Sequence, residues 1–249
     1  MTRLLTLTLL AAAFVAGSFQ TSAADAKPAK IKVLLITGDD VGVHKWRETT
    51  EATREVLTAS GKFDVKVSED PLILESATAL KNYDLIFLNF YNTKPLVLPD
   101  VAKENLLNFV KGGKGFAVSH LASGAFKEWD EFHKLVGRYW VMGKSGHGPR
   151  APFKVNIKNQ NHPITKGMQD FEADDELYAK LLGDGPINVL ATADSDWSKQ
   201  TEPLVLTLEY GQGRVFNETF GHDTKAIKTE TVAKLIQRGC EWAATGKVE

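Results

Sequence analysis

This chain of 249 residues has one cysteine, no surplus of basic residues and little apolar sequence of membrane-spanning length. A lone Cys240 excludes an intramolecular disulfide framework. It shares a helical apolar face with Val232, Leu235, Ile236 and Ala243, so it reads as a core thiol, with a reactive or intermolecular cysteine as the alternative. Lys and Arg number 30 against 31 Asp and Glu, a formal net charge of -1. Nothing is left over to neutralise a phosphate backbone, so nucleic acid is not an expected partner. The apolar stretch Leu4 to Val15 falls short of the roughly 20 residues that a bilayer helix needs. Repeats, low-complexity segments and internal linkers are also missing.

What is present begins with an export pattern. One positive charge at Arg3 precedes that apolar stretch, and Gly17, Ser18, Ser22, Ala23 and Ala24 supply small residues at cleavage spacing. Residues 1–24 are therefore expected to be a signal peptide, 25–30 a polar linker and 31–249 a single α/β domain. The expected location is periplasmic or extracellular, with no membrane insertion once the signal is removed. About 225 residues remain, enough for a large core.

Ile31 to Thr37 is a continuous apolar run of the kind that suits a strand buried on both faces. A helical pattern follows from Trp46 to Ser60, with Thr49, Thr53, Val56 and Leu57 on one face and Gly61 as its stop. Phe63 to Ser68 alternates, Tyr83 to Phe90 is apolar again, Val101 to Val110 is helical, and Phe116 to Ser119 is a short strand. This succession predicts a mainly parallel sheet with helices on both faces. Later segments are less regular: a helix from Trp129 to Val136, a glycine-rich loop from Gly137 to Gly148, and strands at Phe153 to Ile157, Val189 to Ala193, Leu204 to Glu209 and Gly213 to Asn217. These are expected to add antiparallel strands, and a final helix is expected from Thr224 to Ala244.

Open sheets of this kind bind ligands beyond the C-terminal ends of their strands. Three polar loops follow such ends: Thr37 to His44, Asn89 to Asn92, and Ser119 to Gly124. Gly221-His222-Asp223 makes a fourth, so His44, His120 and His222 are expected to converge. Neutral imidazole is the commonest metal ligand, and a catalytic zinc site uses three protein ligands. A divalent metal, zinc or similar, held by His44, His120 and His222 is one expectation. The alternative is that the histidines cap helices or contact a sugar directly. His147 and Glu176 are possible additional members of that site and candidate catalytic partners of His120 and His222. His133 and His162 read as structural. Asp39 and Asp40 in the first loop, with Tyr91 and Trp140 in or beside loops, are candidate substrate-binding residues, and Trp46 and Trp197 read as core. Asp174, Asp175 and Glu176 form an acidic run, either a solvated loop or a source of paired carboxylates. A serine nucleophile is a further option only at Ser123, because Ser119 and His120, adjacent on a strand, point to opposite faces.

Taken in order, these segments resemble the trehalose-utilisation (ThuA-like) family. The matching pieces are the loop ending in His44, Gly112 through His120, Gly137 through His147, His162-Pro163-Ile164, Asp175-Glu176-Leu177-Tyr178, Gly213-Arg214-Val215 and Gly221-His222-Asp223. The resemblance implies a flavodoxin-like, class I glutamine amidotransferase-like α/β fold. It also implies a role in carbohydrate metabolism, in pathways that oxidise glycosides at the third carbon of the sugar. It argues against glutaminase chemistry, since His120 stands at the elbow where those enzymes carry cysteine. The expected ligand is a small carbohydrate, with no nucleotide cofactor, and the expected activity is that of a lyase, isomerase or hydrolase on oxidised sugars. A non-catalytic periplasmic sugar-binding or accessory protein is the alternative.

Overall fold

A computed structural model describes residues 29–39, 41–94 and 96–249. The expected signal peptide, most of the expected linker, and Asp40 lie outside the described residues.

The first half runs β1 (Ile31–Gly38), α1 (Trp46–Ala59), β2 (Phe63–Ser68), α2 (Ala77–Leu80), β3 (Leu85–Phe90), α3 (Asp100–Lys111), β4 (Gly115–Ser119) and α4 (Asp130–Val136). The second half runs β5 (Gly146–His147), β6 (Ala151–Ile157), β7 (Phe171–Asp175), β8 (Tyr178–Ala179), β9 (Asn188–Ser195), β10 (Gln200–Tyr210), β11 (Gly213–Glu218), α5 (Thr224–Lys228) and α6 (Glu230–Thr245). Among the described residues, nine strands form one sheet in the order β2-β1-β3-β4-β11-β10-β9-β6-β7. From β2 to β11 every pairing is parallel, and from β11 to β7 every pairing is antiparallel.

The continuous apolar runs explain the layering. Successive side chains on a strand point to opposite faces, so a run apolar at every position feeds two cores. Val33, Leu35, Leu85, Phe87, Ala117 and Phe216 pack with the apolar faces of α1 and α6. Leu34, Ile36, Ile86, Leu88, Phe116 and Val118 pack on the other side with α3 and α4. Each such side chain, fully buried, contributes about 1.5–3 kcal/mol.

Two expectations are corrected. The closing helix is not continuous from Thr224: Thr229 adopts ψ 130 and separates α5 from α6. The segment from Gly213 is not simply an antiparallel addition, because β11 pairs parallel with β4 and antiparallel with β10, making it the seam of the sheet. β7, β5 and β8 were not anticipated. β7 reads Phe-Glu-Ala-Asp-Asp, and β5 and β8 have two residues each, too few for a periodic pattern.

Parallel pairing places the C-terminal ends of β1, β3, β4 and β11 at one edge. The β6–β7 hairpin reaches that edge from outside. β6 joins β9 only at Asn156 and Ile157, while its other end, where Ala151 pairs with Asp175, extends beyond the sheet. Phe220, just after β11, packs its ring against Phe153 and Phe171 with centroids 6.4 and 6.2 Å away, and so latches the hairpin in place.

Candidate metal centre

Each histidine arrives on a constrained loop. After β1 the chain closes through a bridge between Val41 and His44 before α1 begins. After β4, His120 takes φ +51, and the chain turns out of the strand into a short 3-10 segment, His120–Gly124. Such a left-handed conformation costs a non-glycine residue about 1–3 kcal/mol, so the surroundings must enforce it. After β11, Gly221 has φ +122, and a Cβ there would stand 3.2 Å from Ser119 Oγ and 3.5 Å from the Cβ of His120. Glycine thus lets the loop of His222 lie directly against that of His120.

The acidic run that ends β7 does three different things. Asp174 faces outward, with one oxygen 2.7 Å from Arg150 Nη1 and the other 2.7 Å from Lys225 Nζ. Asp175 is buried and accepts backbone N–H groups from Gly221 at 2.7 Å, Glu176 at 2.8 Å and His222 at 3.3 Å. Glu176 turns to the histidines: Oε2 lies 3.5 Å from His120 Nε2 and 3.9 Å from His44 Nε2, and Oε1 lies 3.2 Å from His222 Nδ1. The run is therefore not a solvated loop.

His44, His120, Glu176 and His222 each offer a ligand atom, all within 4.8 Å of one another. His44 Nε2 and His120 Nε2 are 3.1 Å apart. A tetrahedral ion with bonds of about 2.0–2.1 Å has ligand–ligand edges of roughly 3.3–3.4 Å, close to most of these separations. His44 Nδ1, His222 Nδ1 and Glu176 Oε2 are buried without a well-formed hydrogen bond. His120 Nδ1–H donates to the Thr219 carbonyl at 2.7 Å, which fixes the tautomer and leaves the Nε2 lone pair facing the cluster. That one lone pair is approached by the Tyr178 hydroxyl at 2.8 Å as well as by His44. A donor set of three imidazoles and one carboxylate, with buried atoms lacking partners, fits a divalent cation.

In the metal-free cluster the surroundings favour an ionised Glu176 and a neutral His44, whereas for His120 they favour the protonated ring, whose proton a cation would have to displace. Burial opposes the ionisation of Glu176, but the His120 and His44 imidazoles outweigh it and hold its carboxyl far below the usual carboxylate range. Burial pushes His44 below the ordinary imidazole value despite Glu176. For His120 burial acts the same way, but Glu176, Asp175 and the Thr219 carbonyl together raise it. Tyr178 is pushed well up by burial and by the neighbouring carboxylates, so its hydroxyl keeps its proton.

The remaining sequence candidates are distributed around this cluster. β5 and β8 form a short antiparallel ribbon in which His147 pairs with Tyr178, and His147 Nε2 lies 3.6 Å from Glu176 Oε1. Tyr91 and Trp140 are buried and packed with Leu121 and Tyr178; Tyr91 also lines the small cavity beside His44 and His120, and the Trp140 ring lies 5.9 Å from that of His147. Asp39 accepts the Thr93 backbone N–H at 2.8 Å, tying the first two loops together. The hydroxyl of Ser123 is buried and donates to the His120 carbonyl. His133 stacks on Tyr139, and His162 packs on Trp242. The reading of Trp197 as core is corrected: it is 45% exposed, at the β9–β10 turn. Sequence reasoning missed Tyr178 as a site residue and weighed Asp175 only as one of three possible paired carboxylates; their spacing around Glu176 was the available signal. The cavity beside His44 and His120 holds about 30 Å³, water-sized, while a depression of about 610 Å³ between α4 and β10 includes no cluster residue.

Residues 32–243 match the family model ThuA, described as trehalose utilisation. The chain belongs to the ThuA family. A ThuA-like protein from Parabacteroides merdae is 29% identical, with TM-score 0.78 over 88% of this chain and 92% of its own. Another from Bacteroides uniformis is 18% identical, with TM-score 0.68 over 91% and 98%. A glutamine amidotransferase from Thermotoga maritima, 13% identical with TM-score 0.51 over 86% and 98%, has a similar fold. No curated protein matches the sequence. In this ThuA-family chain the only cysteine, Cys240, is buried in α6 and its thiol is pushed up by that burial.

Proposed function

We propose that this ThuA-family protein is a metal-dependent enzyme acting on oxidised, 3-keto glycosides. The observation that carries the reading is the convergence of His44, His120, His222 and Glu176 from four separate segments, with their donor atoms within 4.8 Å. These four residues would hold a divalent cation, zinc or similar. When bound with a further position open to substrate, it would supply Lewis-acid polarisation of a carbonyl oxygen.

His147 is the proton acceptor. Its Nδ1–H donates to the Gly148 carbonyl at 2.6 Å, which leaves the Nε2 lone pair available, and its side chain is 32% exposed. A 3-keto group acidifies the C2–H bond. Nε2 takes that proton, the C–H electrons pass into the C2–C3 enolate, and collapse forms the C1–C2 double bond and expels the glycosidic oxygen from C1. That oxygen leaves as an alcohol after taking a proton from water, whose hydroxide is neutralised by the proton on His147. Substrate enters from the side of His147 and His222, because the cavity behind His44 is only water-sized. Thioester chemistry is not proposed, since Cys240 lies in the core.

Elemental analysis of protein purified without chelators tests the metal, and incubation with a 3-keto-glycoside tests turnover by release of the aglycone alcohol. Metal near one equivalent with release supports the reading. A loaded protein that leaves the glycoside unchanged overturns the catalytic part. Ligand-induced stabilisation without product would then identify a sugar-binding protein. On the pattern of residues 1–24 we also propose export, to the periplasm or beyond; Edman sequencing of the exported protein starting at Asp25 checks it.

A further inference from the structure

We propose that Asp175 is the positioning residue that assembles the candidate metal centre, and that it must be a carboxylate. The inference rests on the metal reading above and goes beyond it, since Asp175 is not among the residues that offer a ligand atom. Glu176 and His222 belong to segments 46 residues apart in sequence, one after the outermost hairpin of the sheet and one after its central seam. A single buried side chain joins them. Oδ1 accepts the N–H of Glu176 at 2.8 Å and of His222 at 3.3 Å, while Oδ2 accepts the N–H of Gly221 at 2.7 Å.

All three partners are donors, so both oxygens must be acceptors. An asparagine in the same place would turn an NH₂ toward at least one N–H, leaving two donors facing each other in a site only 1% exposed. Backbone amides so held cannot swing, and the side chains of Glu176 and His222 start from fixed Cα positions. The outward neighbour Asp174 adds an exposed brace through Arg150, whose Nε also lies 3.1 Å from Asp223 Oδ2. Partners that orient ligands from behind are worth 10–100-fold in metal affinity.

The experiment is a competitive chelator titration of Zn²⁺ into wild type, Asp175→Asn and Asp174→Asn. The thermal midpoints of the metal-free proteins are measured alongside. The expected result is Zn²⁺ binding about 10–100-fold weaker in Asp175→Asn and within about threefold of wild type in Asp174→Asn. A folded Asp175→Asn with wild-type affinity overturns the proposal. Should that variant fail to fold, amide hydrogen exchange in metal-free wild type decides. Protected N–H groups at Glu176, Gly221 and His222 support the brace, and exchange at the rate of an open loop overturns it. Wild type that binds no Zn²⁺ sinks the metal reading, and the same exchange measurement then judges the Asp175 brace separately.

Discussion

β1, β3 and β4 are apolar on both faces, lie inside the sheet, and lead into segments that carry His44, Tyr91 and His120. The β6–β7 hairpin joins the sheet through two residue pairs and ends in three consecutive acids. One region is stabilised by its core and holds ligands in place by strand order. The other contributes little core, yet it delivers Glu176 and Asp175 and leads into Tyr178 of the short ribbon. A site assembled from both should respond differently when each is weakened.

The largest effect is expected from the ligands themselves. His120→Ala and His222→Ala should each lose near-stoichiometric metal in elemental analysis while keeping the far-ultraviolet circular dichroism of wild type. Retention of full metal by both variants would remove the cluster from consideration.

Core and latch should then separate. Phe87→Ala empties a fully packed position and is expected to cost about 3–5 kcal/mol in urea unfolding, with Zn²⁺ affinity of the folded fraction within about threefold of wild type. Phe153→Ala loosens the packing of the hairpin on Phe220 at the margin of the core. Its expected cost is smaller, about 1–3 kcal/mol, but its Zn²⁺ affinity should fall more than that of Phe87→Ala. Equal affinity losses would mean that the two regions are not separable.

A smaller change is expected from Tyr178→Phe, which removes the hydroxyl 2.8 Å from His120 Nε2 and little else. Zn²⁺ affinity should rise, by up to about tenfold, because the hydroxyl and the cation compete for the same Nε2 lone pair, with the thermal midpoint nearly unchanged.

The smallest effect is in proton binding to the metal-free protein. By NMR, His44 should titrate below the ordinary histidine value and His120 above it. The signs follow by linkage. His44 contributes stability at neutral pH that is lost as pH falls from the unfolded histidine value through its own lower one. His120 contributes stability at lower pH that is lost as pH rises through its raised value. The depressed Glu176 carboxyl adds stability that is lost only on strong acidification, as pH falls below the unfolded carboxylate value. A reversed order of the two histidines would contradict the described cluster.

The strand-loop-helix alternation up to Ser119 was legible because a buried parallel strand must be apolar throughout and a covering helix must repeat its apolar face. The convergence of His44, His120 and His222 followed from the same regularity, since parallel strands bring their C-terminal ends to one edge. β7 was not legible, for its five residues offer one aromatic side chain and one alanine as apolar content. The acidic run looked like a solvated loop because three adjacent carboxylates carry no mark of which one is buried.

By itself the sequence determined the α/β class, the layered core, the edge at which the histidines gather and the ThuA resemblance, because these depend on local periodicity and residue order. Only the tertiary structure decided that Glu176 joins those histidines, that Asp175 ties two ligand-bearing segments together, and that Tyr91 and Trp140 are buried with Leu121 and Tyr178. Those outcomes depend on where an outer hairpin lands relative to the central strands. Its landing place is set by long-range packing of Phe220 against Phe153 and Phe171, and no local pattern in the chain records it.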